Sequence, residues 1–150
     1  MNAFKKLLTL SVLEASLGLS CAAHADLAII VNPGYSGSEI SVDEVRALYL
    51  GKSKTLPDGT RPKAVDQASD SSVRAEFLST VLKQTESALN RTWSKLIFSG
   101  RGRPPEVLDS ADAIKRWIAL NPEGIAYINA DDVDDAVKVL TWSTISIQPS

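Results

Sequence analysis

Cysteine and histidine each occur once in the 150 residues, as Cys21 and His24, and both fall in a stretch that reads as a removable leader. Lys5 and Lys6 precede an apolar run over residues 7–19, and Ala23-His24-Ala25 has the small-x-small pattern of a signal-peptidase site. Residues 1–25 are therefore expected to be a signal peptide, with the mature chain starting at Asp26. That chain has no thiol and no imidazole, which excludes Cys-based redox chemistry, Ser-His-Asp or Cys-His catalysis, and His-ligated zinc. Aromatic residues are scarce, at 6%. The run over residues 7–19 is the one long hydrophobic stretch; it falls short of the roughly 20 residues of a membrane span and Glu14 interrupts it. No internal repeat is visible.

A lipoprotein is the competing reading of the leader, because Cys21 follows Leu19 and Ser20, but Gly18 stands where the lipidation signal usually has Leu. An export signal on a chain without other cysteines suits a Gram-negative periplasm. Removing Lys5, Lys6 and Glu14 takes the 16 basic and 18 acidic residues to 14 and 17, a net charge of −3. Mild acidity argues against nucleic acid as a partner. With 44% hydrophobic and 23% charged residues, residues 26–150 fit one globular domain with its core over about 27–142.

Residues 27–31 form a continuous apolar run that ends at Asn32-Pro33-Gly34 and reads as a buried strand. Ser41 with Glu44 three residues later is a capping box, followed by Val42, Val45, Leu48 and Tyr49 on one helical face, with Gly51 as the stop. Pro57-Asp58-Gly59 is a turn and residues 62–66 a strand. Asp70, Ser71 or Ser72 caps the next helix, whose Val73, Phe77, Val81 and Leu82 share a face. Thr85 and Ser110 open two more helices, carrying Leu89, Trp93, Leu96 and Ile97, then Ile114, Trp117 and Ile118. Residues 124–128 and 137–142 read as strands, and residues 143–150 as a frayed tail. Strands alternating with helices predict an α/β layer structure with parallel pairings and helices on both faces of a small sheet.

Placed in this order, the motifs resemble those of the phosphate-binding periplasmic proteins of ATP-driven phosphate importers, and within them the second lobe. That family has a helix of the form Ile-Ser-x-x-x-Val-x-x-Ile-Phe-x-Gly-Lys, matched here by Ile40, Ser41, Val45, Leu48, Tyr49, Gly51 and Lys52. It continues with a strand and the loop Arg-x-Asp-Gly-Ser-Gly-Thr, then an inward Phe. Counting back from Phe77 puts Val73 at the Thr, Ser72 and Asp70 at the two Gly, Ser71 at the Ser, Ser69 at the Asp and Gln67 at the Arg. A later Pro-Gly-Ala-Ile-Gly-Tyr stretch is matched by residues 122–127. The resemblance covers residues 27–140 and implies a single lobe of a type II periplasmic binding protein, with a small, mostly parallel sheet and helices on both faces.

The resemblance further implies a ligand, inorganic phosphate or a similar oxyanion, held by Gln67, Ser69, Ser71, Ser72 and Arg74 and by the N–H groups of the helix start. Only Ser71 keeps the family residue. Losing a charge-assisted pair of about 1.5–3 kcal/mol at Gln67 weakens binding by roughly one to two decades, and a missing second lobe leaves the anion open to water. Arg74 either replaces the lost charge or pairs with Asp70 or Glu76 on the surface. The plain alternative for the serines is helix capping.

The Gly100-Arg101-Gly102-Arg103 segment either reaches an anion or acidic partner or is a solvated loop. Asp131, Asp132, Asp134 and Asp135 lack the glycine and terminal Glu of a calcium loop. Asp109 and Asp112 suit a helix start. No enzyme and no cofactor are implied. The expectations are a periplasmic solute-binding-like protein with weak binding, or a non-transport periplasmic scaffold or sensor-partner module that presents the lobe to a membrane sensor, porin or secretion component. A membrane transporter or sensor protein is the expected partner, and pairing of two copies is one way to rebuild a cleft.

Overall fold

The computed structural model describes residues 26–143; the expected signal peptide, Cys21 and most of the expected C-terminal tail lie outside them. The chain runs β1 (Leu27–Val31), β2 (Glu39–Ser41), α1 (Val42–Tyr49), β3 (Lys63–Gln67), α2 (Ser72–Glu76) continued by a π-helical turn (Phe77–Leu82), α3 (Glu86–Phe98), β4 (Glu106–Leu108), α4 (Ala111–Leu120), β5 (Gly124–Asn129), a 3-10 turn (Ala130–Asp132) and β6 (Lys138–Ser143).

All five residues of β1 are buried because the strand is covered on both faces. Leu27, Ile29 and Val31 join one core with Ile125 and Tyr127 of β5, whereas Ala28 and Ile30 join a second with Ala126 and Ile128. The two-residue period of the strand divides one apolar run between two cores. The first core is closed by α1, α2 with its π-helical turn, and α3, through Val45, Leu48, Phe77, Val81 and Leu89. The second is closed by Ile114 and Ile118 of α4, with Val133 and Val137.

One six-stranded sheet in the order β2-β6-β1-β5-β3-β4 connects these layers. The β2–β6, β3–β4 and β3–β5 pairs are parallel, so the sheet is mostly parallel with helices on both faces, as expected. β1 departs from the expectation of parallel pairing: it is antiparallel to both β5 and β6. The physical reason lies in the connection between β5 and β6. Asn129 lies opposite Leu27 and Lys138 opposite Val31, so residues 130–137 travel back along β1 and let β6 run in the same direction as β5. Val133 and Val137 sit under α4 on this path. The short strands β2 and β4 are additions to the expected set.

Local sequence explains the helix ends. Ser41 Oγ accepts from Glu44 N at 3.1 Å while Glu44 Oε2 accepts from Ser41 N at 2.8 Å, completing the capping box. Thr85 and Ser110 cap α3 and α4 in the same sense. At the far end of α4, Asn32 Nδ2 donates to Ile118 O at 3.0 Å, tying the loop after β1 to that helix. In the π-helical turn, Thr80 Oγ1 donates to Glu76 O at 2.7 Å and Ser79 Oγ to the same carbonyl at 3.1 Å. These hydroxyls compete for the carbonyl that a regular turn would use, and Lys83, at φ 55°, ends the segment.

The crossing segment is pinned to α4 by Lys115 Nζ, 2.8 Å from Asp134 Oδ2. That hydrogen bond, with a second from Ala136 N, holds the Asp134 carboxyl below its ordinary value of 3.8, and the same bond raises the Lys115 ammonium. A depressed carboxyl stabilises the fold above its unfolded pKa and loses that contribution as pH falls through the folded value. The difference in melting temperature between native protein and Asp134→Asn is therefore expected in full at neutral pH, begins to shrink as pH falls below 3.8, and vanishes only once pH is below the depressed folded value. Gly51 and Gly59 offer a second check. Both have positive φ, 69° and 86°, but a Cβ at Gly51 would stand 2.5 Å from Leu96 Cδ1 while at Gly59 nothing lies within 4 Å. The Leu96 methyl can swing aside, but the Trp93 ring 3.1 Å from the same Cβ must also give, so Gly51→Ala is expected to lose about 1 kcal/mol more stability than Gly59→Ala in urea melts, the low end of the cost of overpacking.

Candidate anion-binding site

β3 ends in Val65, Asp66 and Gln67, all buried, and the chain then turns through residues 68–71 into α2. This places the serine loop beyond the carboxyl end of a parallel strand, where open α/β sheets bind ligands. The ends of β4 and β5 point the same way, bringing Asp109, Asp131 and Asp132 toward the same edge of the sheet.

Within the loop, the expected ligand residues largely bind one another. Ser71 Oγ donates to Gln67 Oε1 at 2.7 Å and accepts from Arg74 N at 3.2 Å as the N-cap of α2. Gln67 Nε2 donates to Tyr127 O at 2.8 Å. Ser69 and Ser72 are exposed. Ser72 and Val73 occupy the first turn of α2, where backbone N–H groups have no intrahelical carbonyl to meet. The groups left facing solvent are thus the hydroxyls of Ser69 and Ser72 and this first turn.

Arg74 overturns the expected surface pairing with Asp70 or Glu76. It is nine-tenths buried, with Nη2 2.9 Å from Glu86 Oε2 and Nη1 3.5 Å from Asp66 Oδ2. The register of α2 turns position 74 inward, so the guanidinium takes the carboxylates nearest its buried path. Its Nε and Nη1 have no hydrogen-bond partner among the described residues. Two carboxylates answer one cation, so Arg74 puts no net positive charge behind the loop.

Asp66 and Tyr127 are the site residues that sequence reasoning missed. Asp66 Oδ1 accepts from Gln67 N at 2.8 Å and from the Tyr127 hydroxyl. Burial, with the Asp66 carboxylate beside it, pushes the Tyr127 phenol far above its ordinary value. The Tyr127 ring stacks on Phe77 at 3.8 Å between centroids, and Tyr49 meets Phe77 edge-on at 4.9 Å. The available signal was Asp66 itself: an acidic residue directly after Val65 at the buried end of a strand requires a partner.

No family model and no curated protein matches the chain, but solved structures do. The ABC-type phosphate transport receptor of Vibrio cholerae superposes with a TM-score of 0.63 at 18% identity, over 78% of this chain and 46% of that one. A putative phosphate ABC transporter substrate-binding protein of Clostridium perfringens, solved with phosphate bound, gives 0.62 at 18% over 77% and 44%. PstS of Borrelia burgdorferi gives 0.60 at 13% over 83% and 49%. The chain has the fold of one lobe of such a substrate-binding protein. It spans about half the length of the solved proteins it matches, and these neighbours are transport and binding proteins by description.

Two of the remaining acidic residues pair with Lys115, and Asp131 contributes its backbone to a turn. Asp134 is held by Lys115, and Asp131 N donates to Asn129 Oδ1 at 2.9 Å. Asp112 lies 3.5 Å from Lys115 Nζ. Among the described residues no group of three or more His, Cys, Asp or Glu side chains is placed to hold a metal ion, and no helix is long and apolar enough to cross a membrane.

The buried pair makes a sharp prediction. Removing one partner of a buried ion pair costs about 3–5 kcal/mol, whereas an exposed pair contributes about 0–1. Asp66→Asn is expected to show the larger loss in urea unfolding and Glu86→Gln, whose side chain is 43% exposed, the smaller.

Proposed function

We propose that residues 26–150 are a periplasmic, solute-binding-like protein that holds phosphate or a similar oxyanion weakly at the first turn of α2, without catalysis and without a cofactor. The observation that carries this reading is the position of the loop. It lies beyond the carboxyl end of β3, in a lobe shaped like those of phosphate-transport binding proteins, with Ser69, Ser72 and the first-turn N–H groups open to solvent. Weakness follows from the same geometry. Gln67 and Ser71 spend their hydrogen bonds on each other, Arg74 is matched by two carboxylates, and one lobe leaves an anion in competition with water.

A second reading has its own support. With the Gln67–Ser71 bond in place and Asp70, Asp109 and Asp131 around the loop, the lobe also suits a scaffold that meets a membrane transporter or sensor protein.

Calorimetric titration of residues 26–150 with phosphate, sulfate and acetate at low salt separates the two. On the first reading phosphate and sulfate bind with a dissociation constant of about 1 mM, or roughly −4 kcal/mol, and the Ser69→Ala, Ser72→Ala double variant binds several-fold more weakly. No heat at ~10 mM phosphate would remove this reading for the single chain and leave the scaffold.

A further inference from the structure

The opposite ends of the same strands carry a feature of different character. A groove of about 1060 Å³ runs between the end of α1, the outer part of α3, residues 100–106 and the segment leading into β3. Lys54, Arg61, Lys63, Arg101 and Arg103 line it. These are five of the 14 basic residues beyond position 25, set against one of the 17 acidic ones, Glu106. In a chain of net negative charge this is a strong local reversal. None of the five takes part in an ion pair within the described residues. Lys63 turns its ammonium toward α4, 5.7 Å from the centroid of the Trp117 ring, so the charge facing the groove comes from Lys54, Arg61, Arg101 and Arg103, with Arg101 Nε also donating to Ser99 Oγ at 3.2 Å.

Apolar surface accompanies the charge. Ile97, on the groove wall, is 53% exposed and the adjacent Phe98 is 93% exposed. Arg61 and Pro62 also border a second, smaller cavity of about 300 Å³ whose walls include Val31, Leu56 and Ile125. The two depressions therefore meet at one arginine, a basic trough beside an apolar hole.

This combination selects among anions. A small oxyanion would engage few of these dispersed cations, and the trough is as large as the top of the roughly 300–1,000 Å³ range of small-molecule sites. A polyphosphate would leave the apolar cavity empty. Single-stranded nucleic acid needs open aromatic faces on which successive bases stack, but the lining holds one aromatic residue, the half-buried Trp93, and the exposed Phe98 lies outside it. An acidic peptide segment uses every part. Its carboxylates meet arginine forks, and one apolar side chain fills the cavity between Leu56 and Ile125.

We propose that this groove is a docking site for an acidic segment of a partner protein that carries an apolar anchor residue. The site stands apart from the α2 loop and does not rest on oxyanion binding there.

Fluorescence anisotropy with a short fluorescein-labelled peptide of Glu and Leu tests it on residues 26–150. The Glu/Leu peptide is expected to bind, to lose affinity as salt rises, and to be displaced by unlabelled Glu/Leu peptide at a lower concentration of negative charge than by sodium polyphosphate, and not by a Lys/Leu peptide. Arg61→Ser with Arg103→Ser, both exposed positions, is expected to weaken binding about tenfold or more, as loss of two charge-assisted contacts requires. Ser69→Ala with Ser72→Ala should leave it unchanged, which keeps this outcome separate from the phosphate titration. The proposal is overturned by no binding of the Glu/Leu peptide, by polyphosphate displacing it as effectively per negative charge as the unlabelled peptide, by unchanged affinity of the arginine variant, or by a self-association that the arginine variant abolishes.

Discussion

The Asp66 carboxylate is the point to which the rest of the lobe is fastened. It sits at the buried end of β3, accepts from the Tyr127 hydroxyl of β5 and from its neighbour's N–H, and faces the Arg74 guanidinium of α2. Arg74 in turn reaches Glu86 at the start of α3. Two strands and two helices thus share one charge cluster, and its buried members Asp66 and Arg74 cannot return to water without unpacking the layer. A buried charge tolerates few alternative partners, so the cluster dictates where α2 begins and which way its first turn faces. The stacked Phe77 and Tyr127 rings close the apolar side of the same junction.

That fastening bears directly on ligand binding. In open α/β sheets ligands bind beyond the carboxyl ends of the strands, and a free guanidinium in the loop after β3 would attract an anion. Here the guanidinium is turned inward and matched, while Ser71 and Gln67 complete a closed hydrogen-bond pair. What remains is a shallow polar turn among aspartates. At the other ends of the strands the balance is reversed, with Lys54, Arg61, Arg101 and Arg103 gathered around a trough. Because five of the six strands run the same way, their two sets of ends form two distinct surfaces, and charge has separated between them.

Much of the fold was legible because its signals are local. The Ser41 and Glu44 capping box, the caps at Thr85 and Ser110 and the stop at Gly51 each depend on residues within four positions. Strand direction was not legible. The residues of β1 are apolar throughout, and such a run reads the same whether its neighbours are parallel or antiparallel. The site shows the same divide. Ser71 was identifiable as a cap, but the partners of Arg74 lie 8 and 12 positions away on other elements, beyond any helical spacing.

By itself the sequence determined the alternation of strands and helices and the helix ends, since caps and apolar periodicity act over one or two turns. It read a single core, and its apolar position Ile97 on α3 is exposed. It also excluded thiol and imidazole chemistry from residues 26–150 by leaving those groups out. Only the tertiary structure decided that β1 opposes its neighbours, that Arg74 is held by Asp66 and Glu86, and that basic residues from positions 54 to 103 line one trough. Those outcomes depend on which chain segments become neighbours across the sheet, and Coulomb and packing forces act on distance in space, not on separation in sequence.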